Sequence, residues 1–521
     1  MAKNMTKSSK LSDMQEHPKP HSLSHPIPSD QFLPFQTTHF HTYLHHAPPT
    51  TTTPKTALLL GAGHVCLPTI AALTTAGLHL TIASRTLSTA QTLCTKYPDT
   101  TTALPLTLPH DTVALSTAIS KADIIISLLP YTHHALVIQA AITHQKPVVT
   151  TSYISPALWA LHAQAKNAGV TILNEIGLDP GIDHLYAVKT IEEVHREGGK
   201  VRAFESWCGA IPAPESAEDN PLGYKFSWSP RGGLLALVNE GRWIRDGEVV
   251  RVEGRELMRS ARVVTGLRGV VDGEVEMEGY PNRDATGFRN YYGIPEARTV
   301  FRGTLRYRGF AGVVGALVEI GFLGTGEMAV LKGEGEVTWL QLTGLLLGMG
   351  VEEATEGRVR GAVAEKVASF LNDDEEEEEE VQRVIDGLEW IGLFDADRVV
   401  DGRGTPLDTL CAVLEQRMAY EPGERDMIVL QHVFEIERAD GSTEKRTSTL
   451  VEYGEPLAPG SRSAMAKLVG LPCAVGVLAV LDGRITEKGM VAPWTTPEIA
   501  TLLREDLKER FGIELEEKVV G

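Results

Sequence analysis

The sequence predicts a doubly wound α/β fold, on three observations. From Thr56 onward, apolar runs of strand length alternate with segments of helical period. The runs are mainly Leu, Ile and Val, as in a parallel sheet covered on both faces. The helices between them have readable ends. In order, the expected strands are Ala57–Leu60, His79–Ala83, Asp123–Leu129, Pro147–Thr151 and Val170–Asn174. Ser155 followed by Pro156 is an N-cap with a first-position proline, and Gly77 and Gly169 sit where helices end.

Beyond Gly177 the alternation breaks. A strand is expected at Lys200–Trp207, then Gly- and Pro-rich loops through about Arg308. From about Gly309 to Leu410 the pattern is mainly helical, interrupted by the acidic run Asp373–Glu380, which reads as a solvated loop or helix end. Met427–Glu437 and Glu444–Glu452 flank Ala439-Asp440-Gly441, a hairpin signal that brings the chain back to an earlier sheet. The apolar segment from about Ala464 to Leu481 is expected to pack as a helix on the first domain. The expected division is a disordered tail over 1–56, a nucleotide-binding α/β domain over 57–178 rejoined by about 460–521, a mixed α/β domain over 179–308 rejoined by about 411–459, and a mainly helical domain over 309–410.

A formal net charge of -19 argues against nucleic acid or an anionic membrane as partner, so an anionic ligand must be met by local cations. The five cysteines are scattered without a CxxC pair, which argues against disulfides or zinc and for a reducing, cytoplasmic compartment. Apolar stretches such as Cys473–Leu481 fall short of the roughly 18 residues a membrane span needs. The histidines of the tail (His17, His21, His25, His39, His41, His45 and His46) read as part of a low-complexity segment, and no metal is expected.

Gly61-Ala62-Gly63 ends the first strand and opens the first helix, where a glycine turn lets backbone N–H groups meet a pyrophosphate. Cys66 replaces the third glycine of the usual fingerprint, and Pro68 sits in the first helical turn. The second strand ends in Ala83-Ser84-Arg85-Thr86, where NAD sites usually carry an acid. An arginine flanked by hydroxyls suits a 2′-phosphate, so NADP is the expected cofactor; the alternative is a surface arginine beside a strand end.

NEIGLDPGIDH (Asn174–His184), CGAIPAPE (Cys208–Glu215), NPLGYKFSWSPRG (Asn220–Gly232), YPNRD (Tyr280–Asp284) and RGTLRY (Arg302–Tyr307) together resemble the saccharopine reductase family, the glutamate-forming saccharopine dehydrogenases of the aminoadipate route to lysine. The likeness runs from about Ala57 to the C-terminus through ISLLPYTHH (Ile126–His134), TTSYISPAL (Thr150–Leu158) and ERDMIVLQH (Glu424–His432). It implies a Rossmann-like domain, a mixed α/β domain that forms a homodimer, and a helical domain, the first two discontinuous. It also implies an enzyme that joins glutamate to aminoadipate semialdehyde as an imine and reduces it with NADPH to saccharopine. Residue by residue, it places Ala62, Gly63, His64 and Val65 at the pyrophosphate and Ser84, Arg85 and Thr86 at the ribose phosphate. Leu129, Thr151, Ser152, Leu178, Asp179, Pro180 and Ser229 would lie near the cofactor, and Ser152, Tyr153, Asp179, Arg283, Thr304, Leu305 and Arg306 would touch saccharopine. The chain departs from the family where an Asp-Val pair near the end of the third strand is replaced by Leu108-Pro109.

Saccharopine carries three carboxylates and an amine, so Arg283 and Arg306 suit it as bidentate partners; each has the alternative of pairing with an acid such as Asp284 or Glu296. Asp179 suits a cationic iminium, with capping of the helix near Ile182 as its alternative, and Tyr153 suits a proton donor or carboxylate anchor. Cys208 reads more readily as a small buried residue than as an acid. Another opine-type dehydrogenase and a non-catalytic NADP sensor use the same fold; saccharopine-dependent reduction of NADP separates them.

Overall fold

The computed structural model describes residues 54–520 except 64, 228, 268, 272–274, 334–335 and 372–376. The tail up to residue 53 with its histidines, His64, and the start of the acidic run lie outside the described residues.

The chain first forms β1 (Thr56–Leu60), β2 (His79–Ser84), β3 (Thr101–Pro105), β4 (Ile124–Ser127), β5 (Val148–Thr150) and β6 (Thr171–Leu173). β7 (Lys200–Pro212), β8 (Gly241–Arg245), β9 (Glu248–Val252), β10 (Arg262–Val263), β11 (Met277–Pro281) and β12 (Thr299–Tyr307) follow. After a helical stretch come β13 (Asp426–Glu437), β14 (Thr443–Tyr453), β15 (Gly489–Val491) and β16 (Glu516–Val519).

Seven strands make a wholly parallel sheet in the order β15-β6-β5-β4-β1-β2-β3. Alternation of side chains feeds two cores: Leu59, Ile126 and Val149 face one, and Leu58, Leu60, Ile125 and Val148 face the other. This is the doubly wound sheet the sequence predicts. Strand order reverses at β1, whose neighbours are β2 and β4, and ligands of such sheets bind at the carboxyl ends beside that reversal. β3 is missing from the expected strands because Thr101-Thr102-Ala103-Leu104-Pro105 has little apolar signal; it is an edge strand paired only with β2, where a proline is tolerated.

The second sheet runs β10-β11-β12-β7-β13-β14-β16, with β8 pairing β12 and β9. The late hairpin returns as expected, β13 lying antiparallel to β7 from Asp426↔Pro212 to Glu437↔Lys200. The loop expected through Arg308 is corrected: β8 and β9 form a hairpin about Asp246-Gly247, whose φ angles of 54 and 90° mark the left-handed turn that Asp-Gly favours. Residues 309–410 contain the helices Phe310–Ile320, Trp339–Leu346, Glu356–Leu371 and Glu377–Ile391, and Pro406–Arg417 crosses the expected boundary. The last residues of the acidic run thus open a helix.

Helix Ala464–Leu481 also corrects an expectation. Its 18 residues are long and apolar enough to cross a membrane, yet 72% of it is buried inside the fold. It lies against helix Cys66–Thr75, where Thr69 Oγ1 donates to Gly470 O at 2.9 Å. A Cβ on Gly470 would stand 2.8 Å from Val65 O, so glycine is what lets this helix back the first turn so closely.

Candidate active site

At the end of β1, Gly61 has φ 108°, and a Cβ there would meet Leu128 O at 2.8 Å, so the turn requires glycine. A Cβ on Gly63 would meet nothing within 4 Å, leaving open space over the backbone of Ala62 and Gly63. Val65 is the N-cap of helix Cys66–Thr75. Cys66 fills the position of the missing third glycine: it is buried, its Sγ lies 3.0 Å from Gly63 O, and burial pushes its thiol up to about 11. Ser84 ends β2, Thr86 occupies the N-cap position of the next helix without a side-chain cap bond and donates its own N–H to Ser84 Oγ at 3.2 Å, and exposed Arg85 makes no ion pair among the described residues. An open glycine turn at a helix N-terminus, followed by an unpaired arginine between two hydroxyls, fits a dinucleotide carrying a 2′-phosphate. Leu108-Pro109, at a cis peptide, follows β3 by three residues.

Leu129, Thr151, Ser152 and Leu178-Asp179-Pro180 follow β4, β5 and β6, all at the carboxyl edge of the first sheet. Leu178 and Pro180 are buried and lend main chain to this edge. Ser152 Oγ is held by His134, whose Nε2 lies 2.8 Å away and whose Nδ1 lies 2.9 Å from Ser127 Oγ. Burial, with His133 nearby, pushes His134 down to about 4, so the neutral ring offers one proton and one lone pair to three hydroxyls, those of Ser127, Ser152 and, at 3.3 Å, Thr150.

The segment Asn174–His184 builds the floor. Gly181 has φ 149°, and a Cβ there would stand 2.0 Å from Gly177 O, so only glycine closes this loop onto helix Ile182–Arg196. Gly181 is the N-cap and Asp183 Oδ1 accepts from its N–H at 2.6 Å; Asp179 is therefore free of the capping role. Asp179 Oδ1 instead accepts from Tyr153 Oη at 2.5 Å and pairs with Arg302. Burial and the carboxylates of Asp179 and Asp183 push Tyr153 well above the ordinary tyrosine range against the opposing pull of Arg302, so its hydroxyl keeps its proton. Behind it, Glu175 accepts from Ile154 N at 2.8 Å and Trp494 Nε1 at 2.7 Å and lies 3.0 Å from His184 Nε2, an ion-pair distance. Burial raises the Glu175 carboxyl, but these partners outweigh it and leave it below the usual carboxylate range.

The second sheet supplies the rest. Arg283, at φ 56° just after β11, extends over Tyr153 with its Cζ 5.7 Å from the ring centroid. It makes no ion pair among the described residues: Asp284 is taken by Arg242 at 2.9 Å and Glu296 by His195 at 2.8 Å. Arg306 is likewise without an acid among the described residues; only 7% exposed, it lies 4.6 Å over Tyr224 and 5.3 Å over Phe310. Thr304 pairs with Cys208 across β12 and β7. The Leu305 side chain is fully buried against Gly209, on the face opposite Thr304 and Arg306, leaving its main chain for contact. Cys208 is buried and pushed well above the usual thiol range by burial and the nearby carboxylates of Asp179 and Asp183, which favours the packing role. Ser229 caps helix Pro230–Ala236, accepting from Gly232 N at 3.4 Å, and among the described residues no hydrogen bond joins it to the other nominated ones. Charge counting does not find Arg302, Asp183, Glu175 or His134; their only signal is membership of the quoted segments.

Comparison with known proteins identifies the family. The family model for the saccharopine dehydrogenase NADP binding domain matches residues 57–173, and that for the saccharopine dehydrogenase C-terminal domain matches 177–513. The chain belongs to the saccharopine dehydrogenase family. Among similar members, a saccharopine dehydrogenase [NADP(+), L-glutamate-forming] of Pyricularia oryzae is 49% identical over 475 residues, covering 90% of this chain and 99% of that protein. The enzyme of the same name from Saccharomyces cerevisiae is 46% identical over 471 residues, covering 90% of this chain and all 100% of its own. An apo structure of the L-Glu-forming saccharopine dehydrogenase of Saccharomyces cerevisiae superposes with a TM-score of 0.77 at 44% identity, over 90% of this chain and 100% of that one.

Proposed function

We propose that the chain is the NADP-dependent, glutamate-forming saccharopine dehydrogenase of lysine biosynthesis: it condenses L-glutamate with L-2-aminoadipate 6-semialdehyde and reduces the imine to L-saccharopine, reversibly. The observation that carries this reading is the meeting of Tyr153 and Asp179, at the carboxyl edge of the first sheet, with Arg283 from the second. In a chain of net charge -19, Arg283 and Arg306 are cations without acidic partners among the described residues, as a tricarboxylate ligand requires.

In this reading Ala62, Gly63 and Val65 hold the pyrophosphate, with His64 between them, and Ser84, Arg85 and Thr86 hold the 2′-phosphate. The cofactor, when bound, supplies or accepts the hydride. Leu129, Thr151, Ser152 and the main chain at Leu178 and Pro180 line its reactive end, and Ser229 comes to it from the second part of the chain. Ser152, Tyr153, Arg283, Thr304, the Leu305 main chain and Arg306 bind saccharopine. Each shielded arginine–carboxylate hydrogen bond contributes about 1.5–3 kcal/mol. The Asp179 carboxylate attracts the cationic nitrogen. Tyr153, which keeps its proton, donates to Asp179 or to a substrate carboxylate. The amine adds to the aldehyde and water leaves; the substrate amine carries the protons of this step, so positioning supplies much of the acceleration. The enzyme acts in the cytoplasm as a homodimer, a reading supported by its family likeness and by five cysteines that are all free.

Steady-state reduction of NADP and of NAD by saccharopine tests the proposal, with sedimentation for the dimer. Reduction that requires saccharopine and favours NADP is expected. No saccharopine-dependent reduction, or full activity in both Arg283→Ala and Arg306→Ala, would overturn the substrate.

A further inference from the structure

Arg302 lies on β12, is 2% exposed, and was marked neither by charge counting nor by the nucleotide motif. Its Nη2 meets three site groups at once: Tyr153 Oη at 2.9 Å, Asp183 Oδ2 at 2.5 Å, and Asp179 Oδ1. The guanidinium plane is held between rings, its Cζ 4.4 Å from the Phe288 centroid and 5.3 Å from that of Tyr153. One guanidinium thus answers two carboxylates, Asp179 and Asp183. Around it, Tyr153, Tyr292 and Cys208 are pushed up by burial and stay protonated, and burial, followed by Arg302 and His184, pushes His432 down to about 3, while His184 Nδ1 lies 3.6 Å from Asp183 Oδ2 and Arg283 extends over the Tyr153 ring.

Behind Arg302 runs a row of cross-strand partners, Ser206 on β7, His432 on β13 and Ser448 on β14, all at most 2% exposed. Their side-chain polar atoms, and Arg302 Nη1, have no hydrogen-bond partner among the described residues. A charged side chain set against unsatisfied polar neighbours gains little for the fold there, so its strong contacts are all on the side of the site.

We propose that Arg302 is a positioning residue for the reaction: through one nitrogen it fixes the Asp179 carboxylate and the Tyr153 hydroxyl in the orientation that receives the substrate nitrogen. This rests on the reading of Asp179 and Tyr153 given above. Asp183, fixed in turn by the Gly181 N–H, is the third point that keeps the guanidinium from following Asp179 when substrate enters.

The test compares wild type, Arg302→Lys and Arg302→Ala for NADP affinity, thermal midpoint, and kcat and KM with saccharopine. Arg302→Lys keeps the charge but loses the planar fork. It should fold and bind NADP within about threefold of wild type while kcat falls about 30- to 100-fold, more than KM changes. Arg302→Ala should lose more, and added guanidinium ion should restore at least about tenfold of its kcat, which a fold-stabilising role would not produce. Wild-type kcat in Arg302→Lys overturns the proposal, whether or not the alanine variant folds. So does an alanine variant that binds NADP normally and does not respond to guanidinium. Absence of saccharopine-dependent activity in the wild type is a different failure, overturning the assigned reaction itself.

Discussion

Replacing Arg306 by Met should lower activity and leave the protein as stable as before or more so, a pairing that few buried arginines allow. The side chain is 7% exposed, and among the described residues its Nε has no partner while it contacts the Tyr224 and Phe310 rings and makes a 2.6 Å bond from Nη1 to Leu305 O. Desolvating an unpaired cation costs several kcal/mol. The two ring contacts return about 0.5–2 kcal/mol each, and the charged hydrogen bond about 1.5–3 kcal/mol. These terms nearly cancel, and a flexible apolar Met fits the lining of Leu222, Tyr224 and Leu317. The thermal midpoint should therefore hold or rise by about 1–3 °C. Catalysis loses a carboxylate partner, so kcat/KM for saccharopine should fall by about 2–4 kcal/mol, roughly 30- to 1000-fold, with NADP affinity unchanged. Calorimetry, nucleotide titration and steady-state kinetics on one preparation suffice. A variant several kcal/mol less stable with normal kcat/KM would show that Arg306 serves the fold and not the substrate.

Three more expectations are independent of that one. Wild type should bind NADP at least about tenfold better than NAD, about 1.4 kcal/mol, and Arg85→Asp should erase or reverse this; equal dissociation constants in the wild type would refute the basic site. Gly470→Ala, whose new methyl would stand 2.8 Å from Val65 O, should cost about 1–3 kcal/mol of stability and weaken NADP; unchanged midpoint and affinity would mean the two helices separate freely. His134 titrates at about 4 in the fold against 6.5 unfolded, so the unfolded chain binds the extra proton first, and stability is present above 6.5 and lost as pH falls toward 4. The contribution is about 3 kcal/mol, and His134→Asn should flatten urea midpoints across that window; an unaltered slope would assign the acid sensitivity elsewhere.

What could be read from the sequence was what local chemistry determines. β1, β4 and β5 are short runs of Leu, Ile and Val buried on both faces, and Ser155 accepts from the Leu158 N–H as its N-cap position implies. β3 escaped because an edge strand needs little apolar content, and β8–β9 escaped although Asp246-Gly247 carried its turn signal. At the site, most residues were nominated through family likeness, as Arg283 was. The groups that hold them were not: Arg302 meets Tyr153 across 149 residues and Asp183 across 119, and Trp494 meets Glu175 across 319, distances at which no periodic pattern survives. Leu305 shows the converse limit, since a quoted motif does not say which of its neighbours turns inward.

The bond between Thr69 and Gly470 spans 401 residues. At roughly 5–20 residues per second, a ribosome needs about 20–80 s to travel from one to the other. For nearly all of that interval the glycine turn and Arg85 are already synthesised, while the helix that backs the turn and the edge strand β15 are not complete. The nascent first sheet must wait with the free edge of β6 and the apolar side of helix Cys66–Thr75 uncovered, exposed to chaperones and to neighbouring chains. A premature stop codon between about residues 200 and 460 would accordingly leave every residue proposed to meet the nucleotide on the first sheet in place and still remove the helix that backs the glycine turn.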